Sequence, residues 1–228
     1  QRLTTAAMKT TCQLRTNTLK LPNVQCFCGK HKLSPEHALS CAKIRARFTR
    51  HDVLVLLIYN MLLNAGVVAA REVLISADSS LKMDIVVYNA DGTKMWIDVT
   101  VINPLAPSNR KSKNLIEKRE NLKAKIKKYH AEAQVQGVRF IAAAIDVYGM
   151  MGKGMLTVLK HIAVSARKTS IYAPDCSEAE WEGKYAYVLK KFVSTTLAYG
   201  NHLMVEEAVM SSLRIKGISS GVQRAATL

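Results

Sequence analysis

The alternation of apolar and polar positions is clearest over residues 82–101, where two runs rich in β-branched and aromatic residues flank a short polar loop. A period of two on both sides of a turn predicts an antiparallel hairpin. If residues 90–92 form a three-residue loop with Gly92 in the left-handed conformation, Asn89 pairs with Thr93. This register determines which residues of the two strands face each other.

The predicted register places one acid opposite another, Asp84 opposite Asp98, in an otherwise apolar hairpin. Directly opposed residues have Cβ atoms roughly 5 Å apart, and two like charges there destabilise a sheet unless a cation compensates them. One face of the hairpin is predicted to face the core, and it is formed by Met83, Ile85, Val87, Met95, Ile97, Val99 and Val101. A two-residue turn would shift the register by one and leave two solvated acids, so the hairpin alone leaves both arrangements open.

Helical and strand patterns alternate along the rest of the chain. The predicted elements are a short basic helix before residue 20, a helix over 40–65, a strand over 71–75, a loop over 103–112, a helix over 112–134 ended by Gly137, a buried strand over 138–148, a helix over 155–168, and two helices after Ser177 broken near Gly200 and Asn201. Strands mixed with helices indicate an α/β domain with helical additions at both ends.

Composition and charge narrow the class of partner. The chain has 228 residues, of which 49% are hydrophobic, so it can bury a sizeable core. It carries 33 Lys and Arg against 17 Asp and Glu, a formal net charge of +16, which favours a polyanionic partner. We expect nucleic acid and no membrane, because the longest apolar run, residues 53–70, is interrupted by Asn60, Asn64 and Gly66.

Three of the five cysteines cluster around a histidine, which indicates a metal site rather than disulfides. The spacing C-x-C-x8-H-x3-C is formed by Cys26, Cys28, His37 and Cys41. Three thiolates and one imidazole can close a tetrahedral site and suit a structural Zn²⁺ with no open position for chemistry. Cys12 and His31 are the alternative ligands, and three ordinary buried thiols are the alternative to a metal site.

Basic residues flank the metal motif and fill a predicted helix. The bases after the first cysteine pair, which would fit a phosphate backbone, are Lys30, Lys32, Lys43, Arg45, Arg47 and Arg50. On the helix over 112–134, Leu115, Leu122, Ile126 and Tyr129 form one buried stripe. Lys125 lies on the flank of that stripe and can reach an adjoining sheet edge, whereas most of the other lysines point into solvent.

Two carboxylates on neighbouring strands plus a lysine are what metal-dependent phosphodiester hydrolysis requires. In content and order the chain resembles the restriction-enzyme-like endonuclease domain that follows the reverse transcriptase in site-specific non-LTR retrotransposons. This group carries its lysine on the helix that follows the second acid. The matching residues are the Cys/His motif, then Arg50, His51 and Asp52 like an R-H-N or R-H-D signature, then Asp84, then Asp98 in I-D-V-T-V, then Lys125, Lys128 and Tyr129 in K-I-K-K-Y. The likeness covers about residues 20–165 and departs from the family at Met83, where a proline is usual.

The resemblance implies a restriction-endonuclease-like core, a mixed central sheet flanked by helices, with a zinc knuckle before it and helices after it. The predicted segments are a helical lead-in over 1–22, the zinc knuckle over 23–48, the nuclease core over 49–170 and a helical extension over 171–228. It further implies a nuclear protein that nicks double-stranded DNA to prime reverse transcription, together with element RNA and the rest of the reverse-transcriptase polypeptide.

The resemblance also assigns roles to individual residues. Asp84 and Asp98 would bind Mg²⁺ or Mn²⁺, and Lys125, with Lys128 in reserve, would support the water or the phosphate. The residues expected to contact DNA are Lys43, Arg47, Arg50 and His51, although the last two could instead order the junction between knuckle and core. Two rival functions stay open: a structure-selective nuclease similar to the Holliday-junction enzymes, and a non-catalytic nucleic-acid-binding module on a nuclease scaffold.

Overall fold

A computed structural model describes residues 3–76, 80–121, 129, 131–169 and 176–215. The elements in chain order are α1 (Thr5–Arg15), α2 (Pro35–Ala38), α3 (Ala46–Asn64), β1 (Val68–Leu74), β2 (Lys82–Tyr88), β3 (Lys94–Ile102), α4 (Leu115–Glu120), β4 (Arg139–Asp146), α5 (Lys153–Thr169) and α6 (Glu178–Ile215). Tyr129 and residues 131–135 are also helical. None of the described helices is long and apolar enough to cross a membrane.

The four strands form one mixed sheet in the order β1-β2-β3-β4, which confirms the predicted α/β class. The first three strands are antiparallel neighbours, and β4 runs parallel to β3. A parallel neighbour requires a long crossover, and the chain between β3 and β4 supplies it with the predicted loop after Ile102, α4 and the helical segment that includes 131–135. Gly137, with a φ of 62°, ends that segment as predicted.

The hairpin of β2 and β3 has the predicted register. Asn89 N–H donates to the Thr93 carbonyl at 2.9 Å, and Gly92 has a φ of 81°. The ladder then continues back to the pair Ile85 and Ile97. The three-residue loop is therefore confirmed, and the alternative with a shifted register is wrong.

Helices cover both faces of the sheet. On one face the main core combines strand residues such as Ile85, Ile97 and Ile145 with α3, α5 and α6. On the other face Val86 and Trp96 pack with Tyr129 and Ala133 of the crossover.

Met83 departs from the prediction, because it packs with Val86 and Trp96 rather than with Ile85. The β1–β2 pairing skips one step between the pairs Arg71–Ile85 and Val73–Met83. The β1 residue at that step is Glu72, which has a φ of 52° and so interrupts the regular strand. The side-chain alternation of β2 changes beside this irregularity, at Asp84.

The predicted break of the C-terminal helices near Gly200 is wrong, since α6 is continuous from Glu178 to Ile215. Gly200 lies where α6 crosses α3, and a Cβ built there would be 2.5 Å from Arg50 Cγ. Asn201 is buried and bonds to Arg50 and to the Val147 carbonyl. Packing between helices thus overrides the low helix propensity of both residues.

We expect Gly200→Ala to lower the free energy of unfolding by about 2 kcal/mol, because the added methyl group would displace Arg50 at a tight crossing. Gly183→Ala on the same helix is the matched control, since a methyl group added there would have no other atom within 4 Å. That substitution should stabilise the protein by roughly 0.5–1 kcal/mol through helix propensity alone. Urea denaturation measures both, and the same sign for the two variants would contradict the close crossing.

Candidate metal sites and basic cleft

The four predicted zinc ligands come together in the structure, and we call them the Cys/His cluster. Their ligand atoms all lie within 4.8 Å of one another. Cys26 Sγ is 4.0 Å from Cys41 Sγ, and Cys28 Sγ is 3.3 Å from His37 Nε2. Ligands about 2.0–2.3 Å from a tetrahedral ion are separated by roughly 3.3–3.8 Å, so the cluster can hold a metal such as zinc.

Short backbone contacts bring these ligands together. Cys26 N–H donates to the His31 carbonyl at 2.9 Å, across a tight turn in which Gly29 has a φ of 74°. Ser34 Oγ then accepts from His37 N–H at 3.2 Å and begins α2. The alternative ligand His31 lies outside the cluster.

The protonation states of two ligands have identifiable causes. Burial raises the pKa of the Cys26 thiol to about 11, so a bound metal ion has to displace its proton. Burial lowers the pKa of His37, and the neighbouring His31 lowers it further. His37 is therefore neutral at pH 7, which is the form that ligates a metal.

The segment 23–48 packs against the C-terminal half of α6. Cys26, Cys41 and Ile44 share a buried cluster with Met204 and Val205. Glu207 of α6 accepts hydrogen bonds from the backbone N–H groups of Arg45, at 2.9 Å, and Ala46, at 2.7 Å. These bonds satisfy amides at the N-terminus of α3 and fix the helix that carries the predicted R-H-D signature.

The two candidate catalytic acids lie where the β2–β3 ladder ends. The ladder ends at the pair Ile85 and Ile97, and Asp84 and Asp98 are the next residues of the two strands beyond that pair. Asp84 Oδ2 accepts from Val99 N–H at 2.7 Å. Asp98 is only 9% exposed, and its Oδ2 accepts from the Thr100 hydroxyl at 3.1 Å.

Tyr129 lies close enough to the two acids for their charges to change its pKa. Burial raises its pKa, and the charges of Asp98 and Asp84 raise it further. Its ring stacks on Phe140 of β4 with the centroids 5.4 Å apart. The helical turn that carries Tyr129 therefore lies over the same end of the sheet as the two carboxylates, whose oxygens are the ligand type that Mg²⁺ prefers.

His51 lies against Asp84, a contact that the sequence did not predict. Its Nε2 is 3.4 Å from Asp84 Oδ2 and 3.2 Å from the Val99 carbonyl. The hydrogen bond to Asp84 raises the pKa of His51 to about 9, against the opposing effect of burial. At pH 7 the pair is therefore an imidazolium beside a carboxylate.

Asp84→Asn is expected to lower the pKa of His51 from about 9 toward its ordinary 6.5. Since the pKa is higher in the folded than in the unfolded protein, the pair contributes its full stabilisation below about pH 6.5 and loses it as the pH rises through about 9. NMR titration of the His51 ring without divalent cations measures this. Asp52→Asn should lower the pKa less, and an ordinary pKa in the unchanged protein would contradict the contact.

Arg50 is 6% exposed and ties α3 to α6. Its Nη1 donates to Asn201 Oδ1 at 2.8 Å. Burial and, to a smaller extent, the charge of Arg47 lower its pKa to about 10. The contact with Asn201 fits the alternative in which Arg50 orders the junction between knuckle and core.

A cleft of about 900 Å³ runs from the Cys/His cluster to the end of β3, and we call it the basic cleft. All four residues predicted to contact DNA line it, namely Lys43, Arg47, Arg50 and His51. Lys30 and Arg119 add two more cations, and none of the described residues that line the cleft is acidic. Phe48 also lines it, and the only sequence signal for that role is an aromatic residue between two bases.

Other predicted residues lie elsewhere. Lys125 and Lys128 lie outside the described residues. The side chain of Glu72, the irregular residue of β1, is 72% exposed and lies 3.7 Å from Lys82 Nζ, so it forms an exposed ion pair, and Glu72 is not one of the predicted ligands. Cys12 is exposed on α1, away from the Cys/His cluster.

No protein-family model matches the chain, and no curated protein matches it significantly.

Proposed function

We propose that the chain is a metal-dependent DNA endonuclease domain with a restriction-endonuclease-like core, and that it nicks target DNA for a non-LTR retrotransposon. The observation that carries the proposal is the pair of acids, Asp84 and Asp98, which lie on neighbouring strands just beyond the last ladder pair and whose charges both act on Tyr129. Two acids close together on neighbouring strands destabilise a sheet unless a cation compensates them, and metal-dependent phosphodiester hydrolysis requires such a pair.

In this proposal Asp84 and Asp98 hold Mg²⁺ or Mn²⁺. The bound ion would activate a water and withdraw charge from the phosphate. Val99 N–H orients the Asp84 carboxylate, and Thr100 orients that of Asp98. Lys125, with Lys128 in reserve, is proposed to neutralise the charge that develops on the phosphate.

The basic cleft and the Cys/His cluster are proposed to bind nucleic acid. A cleft with several cations and no acid among its described lining residues attracts phosphates, and such binding weakens steeply with salt. The expected partners are double-stranded target DNA, element RNA and the remainder of the reverse-transcriptase polypeptide, in the nucleus. The order of the motifs in the sequence supports this assignment.

The contact between His51 and Asp84 favours a second candidate, a nucleic-acid-binding module without chemistry. Asp84 already accepts from one backbone amide and lies beside one imidazolium, so a cation has to compete for this carboxylate. In this alternative the ion pair completes the fold and the cleft alone is functional.

Nicking of a supercoiled plasmid by the purified 228-residue chain separates the two candidates. We expect relaxed circles in Mg²⁺ or Mn²⁺ and none in Ca²⁺. Ca²⁺ is a better control than EDTA, because EDTA would also remove zinc from the Cys/His cluster. DNA binding without nicking in either active ion would favour the binding module.

A further inference from the structure

We infer that the basic cleft takes a single unpaired nucleic-acid strand, with a base on Phe48 and a phosphate at Arg47 and Arg50. The inference names the form of substrate for the proposed nuclease and to that extent rests on the proposed function. Strand binding itself requires no cleavage, so it can be measured separately.

Two guanidinium groups form the phosphate site. Arg47 and Arg50 lie one helical turn apart on α3, and both line the cleft. The Nε atoms of both are buried and have no hydrogen-bond partner among the described residues. Arg50 keeps its Nη1 bond to Asn201 in this arrangement, so Nε is its only buried nitrogen without an acceptor among the described residues. A buried donor without an acceptor costs free energy, and a phosphate oxygen that reaches Nε would supply the acceptor.

Phe48 supplies an aromatic surface between these two arginines in sequence. It is 57% exposed, although it lines a concave site. Arg47 Cζ lies 4.5 Å from its ring centroid, so one face of the ring is paired with a cation. Aromatic rings beside cations in a basic groove are the stacking platforms of proteins that bind single strands.

Phe48 is the feature of the cleft that favours an unpaired nucleic-acid strand over a duplex. In a duplex the bases are stacked on each other and the phosphates face outward, so a ring inside a cleft meets no base. An unpaired strand presents both a phosphate and a base to the same cleft. A volume of about 900 Å³ is also within the range of small-molecule sites, up to roughly 1,000 Å³, and suits a few nucleotides of one strand.

Residues that line the cleft contact both acids. The lining includes Cys28 and His37 of the Cys/His cluster as well as His51 and Thr100. His51 contacts Asp84, and Thr100 donates to Asp98. A strand bound in the cleft is therefore separated from each carboxylate by one contacting side chain, since Asp84 and Asp98 do not themselves line the cleft.

Fluorescence anisotropy with a strand of about 20 nucleotides, long enough to exceed a single-strand site of roughly 4–16 nucleotides, tests this inference. Its blunt duplex and an RNA strand of the same sequence are measured beside it, in Ca²⁺ to prevent cleavage. We expect Phe48→Ala to weaken single-strand binding on the order of 10-fold and to change duplex binding little. The RNA arm shows whether element RNA or a DNA strand is preferred.

Tyr187→Ala is the matched control. Tyr187 is 58% exposed on α6, and Lys191 Nζ lies 4.5 Å from its ring centroid, so it reproduces the aromatic–cation pair of Phe48 outside the cleft. This variant should bind every probe as the unchanged protein does. Salt dependence adds a second readout: Arg47→Gln should reduce the slope of log K against log salt by about 0.7, and Phe48→Ala should leave it unchanged.

Equal weakening of strand and duplex by Phe48→Ala, or no weakening of either, would overturn the inference. So would equal effects of Phe48→Ala and Tyr187→Ala, or full competition by polyglutamate, which would identify an acidic peptide as the ligand. Plasmid nicking is measured on the same samples. Nicking without the Phe48-dependent strand preference overturns this inference alone, and the preference without nicking overturns the nuclease proposal alone.

Discussion

Asp98→Asn should reduce plasmid nicking by about three orders of magnitude while leaving DNA binding within a few-fold of the unchanged protein. Asp98 is the more buried of the two acids, and an amide keeps its shape but removes the charge that would hold a divalent ion. Loss of several kcal/mol of metal-dependent stabilisation of the transition state corresponds to this change in rate. Nicking rates in Mg²⁺ and anisotropy in Ca²⁺ measure the two effects separately.

Asp91→Asn is the matched control for this variant. It removes one negative charge from the same hairpin, and the amide oxygen can still accept the bonds that Thr93 donates to Asp91. Nicking by Asp91→Asn should therefore be unchanged. Nicking by Asp98→Asn at the normal rate, with the fold intact by circular dichroism, would remove the carboxylate pair from the proposed mechanism.

The two acids have different surroundings, and this bears on the order of events in the proposed reaction. Asp84 is held by Val99 N–H and lies beside His51, whereas Thr100 donates to Asp98. Charge on the imidazolium disfavours a cation next to Asp84. A divalent ion would therefore bind with release or displacement of His51, and metal affinity should rise when His51 is replaced by a neutral residue.

Local chemistry is what the sequence predicts well in this chain. The hairpin register follows from a loop that needs Gly92 in the left-handed conformation, and the Cys/His cluster follows from ligands that are close in sequence, from Cys26 to Cys41. Both depend on neighbours in sequence. The hairpin pattern also identifies the two acids, and the resemblance to a family adds proposed roles for them but no contact between distant elements.

Contacts between distant elements are what the sequence did not predict. Nothing near His51 indicates that α3 brings it to Asp84, which belongs to a strand two elements later. The predicted break at Gly200 is wrong for the same reason, since glycine reads as a helix breaker until the crossing with Arg50 is known. The predicted position of Met83 is wrong because alternation assumes a regular strand. The irregularity lies in β1 at Glu72, next to the residue that pairs with Met83.

Cys41→Ser should release zinc and lower the melting temperature by about 10 °C. A ligand at a thousand times its dissociation constant stabilises the folded state by about 4 kcal/mol, and 1 kcal/mol corresponds to roughly 2–4 °C in a chain of this size. The loss should extend beyond the cluster, because Cys41 packs with Met204 and Val205 of α6. Metal content by mass spectrometry and thermal unfolding by circular dichroism measure both effects.

Cys12→Ser is the control for this variant, because Cys12 is an exposed thiol on α1 and lies outside the cluster. It should keep one zinc per chain and the normal melting temperature; equal losses in the two variants would contradict the assigned ligand set.

Cys28, His37 and Cys41 also line the basic cleft, whereas Asp84 and Asp98 are anchored in the sheet. Zinc loss should consequently weaken nucleic-acid binding more than it slows nicking at saturating DNA.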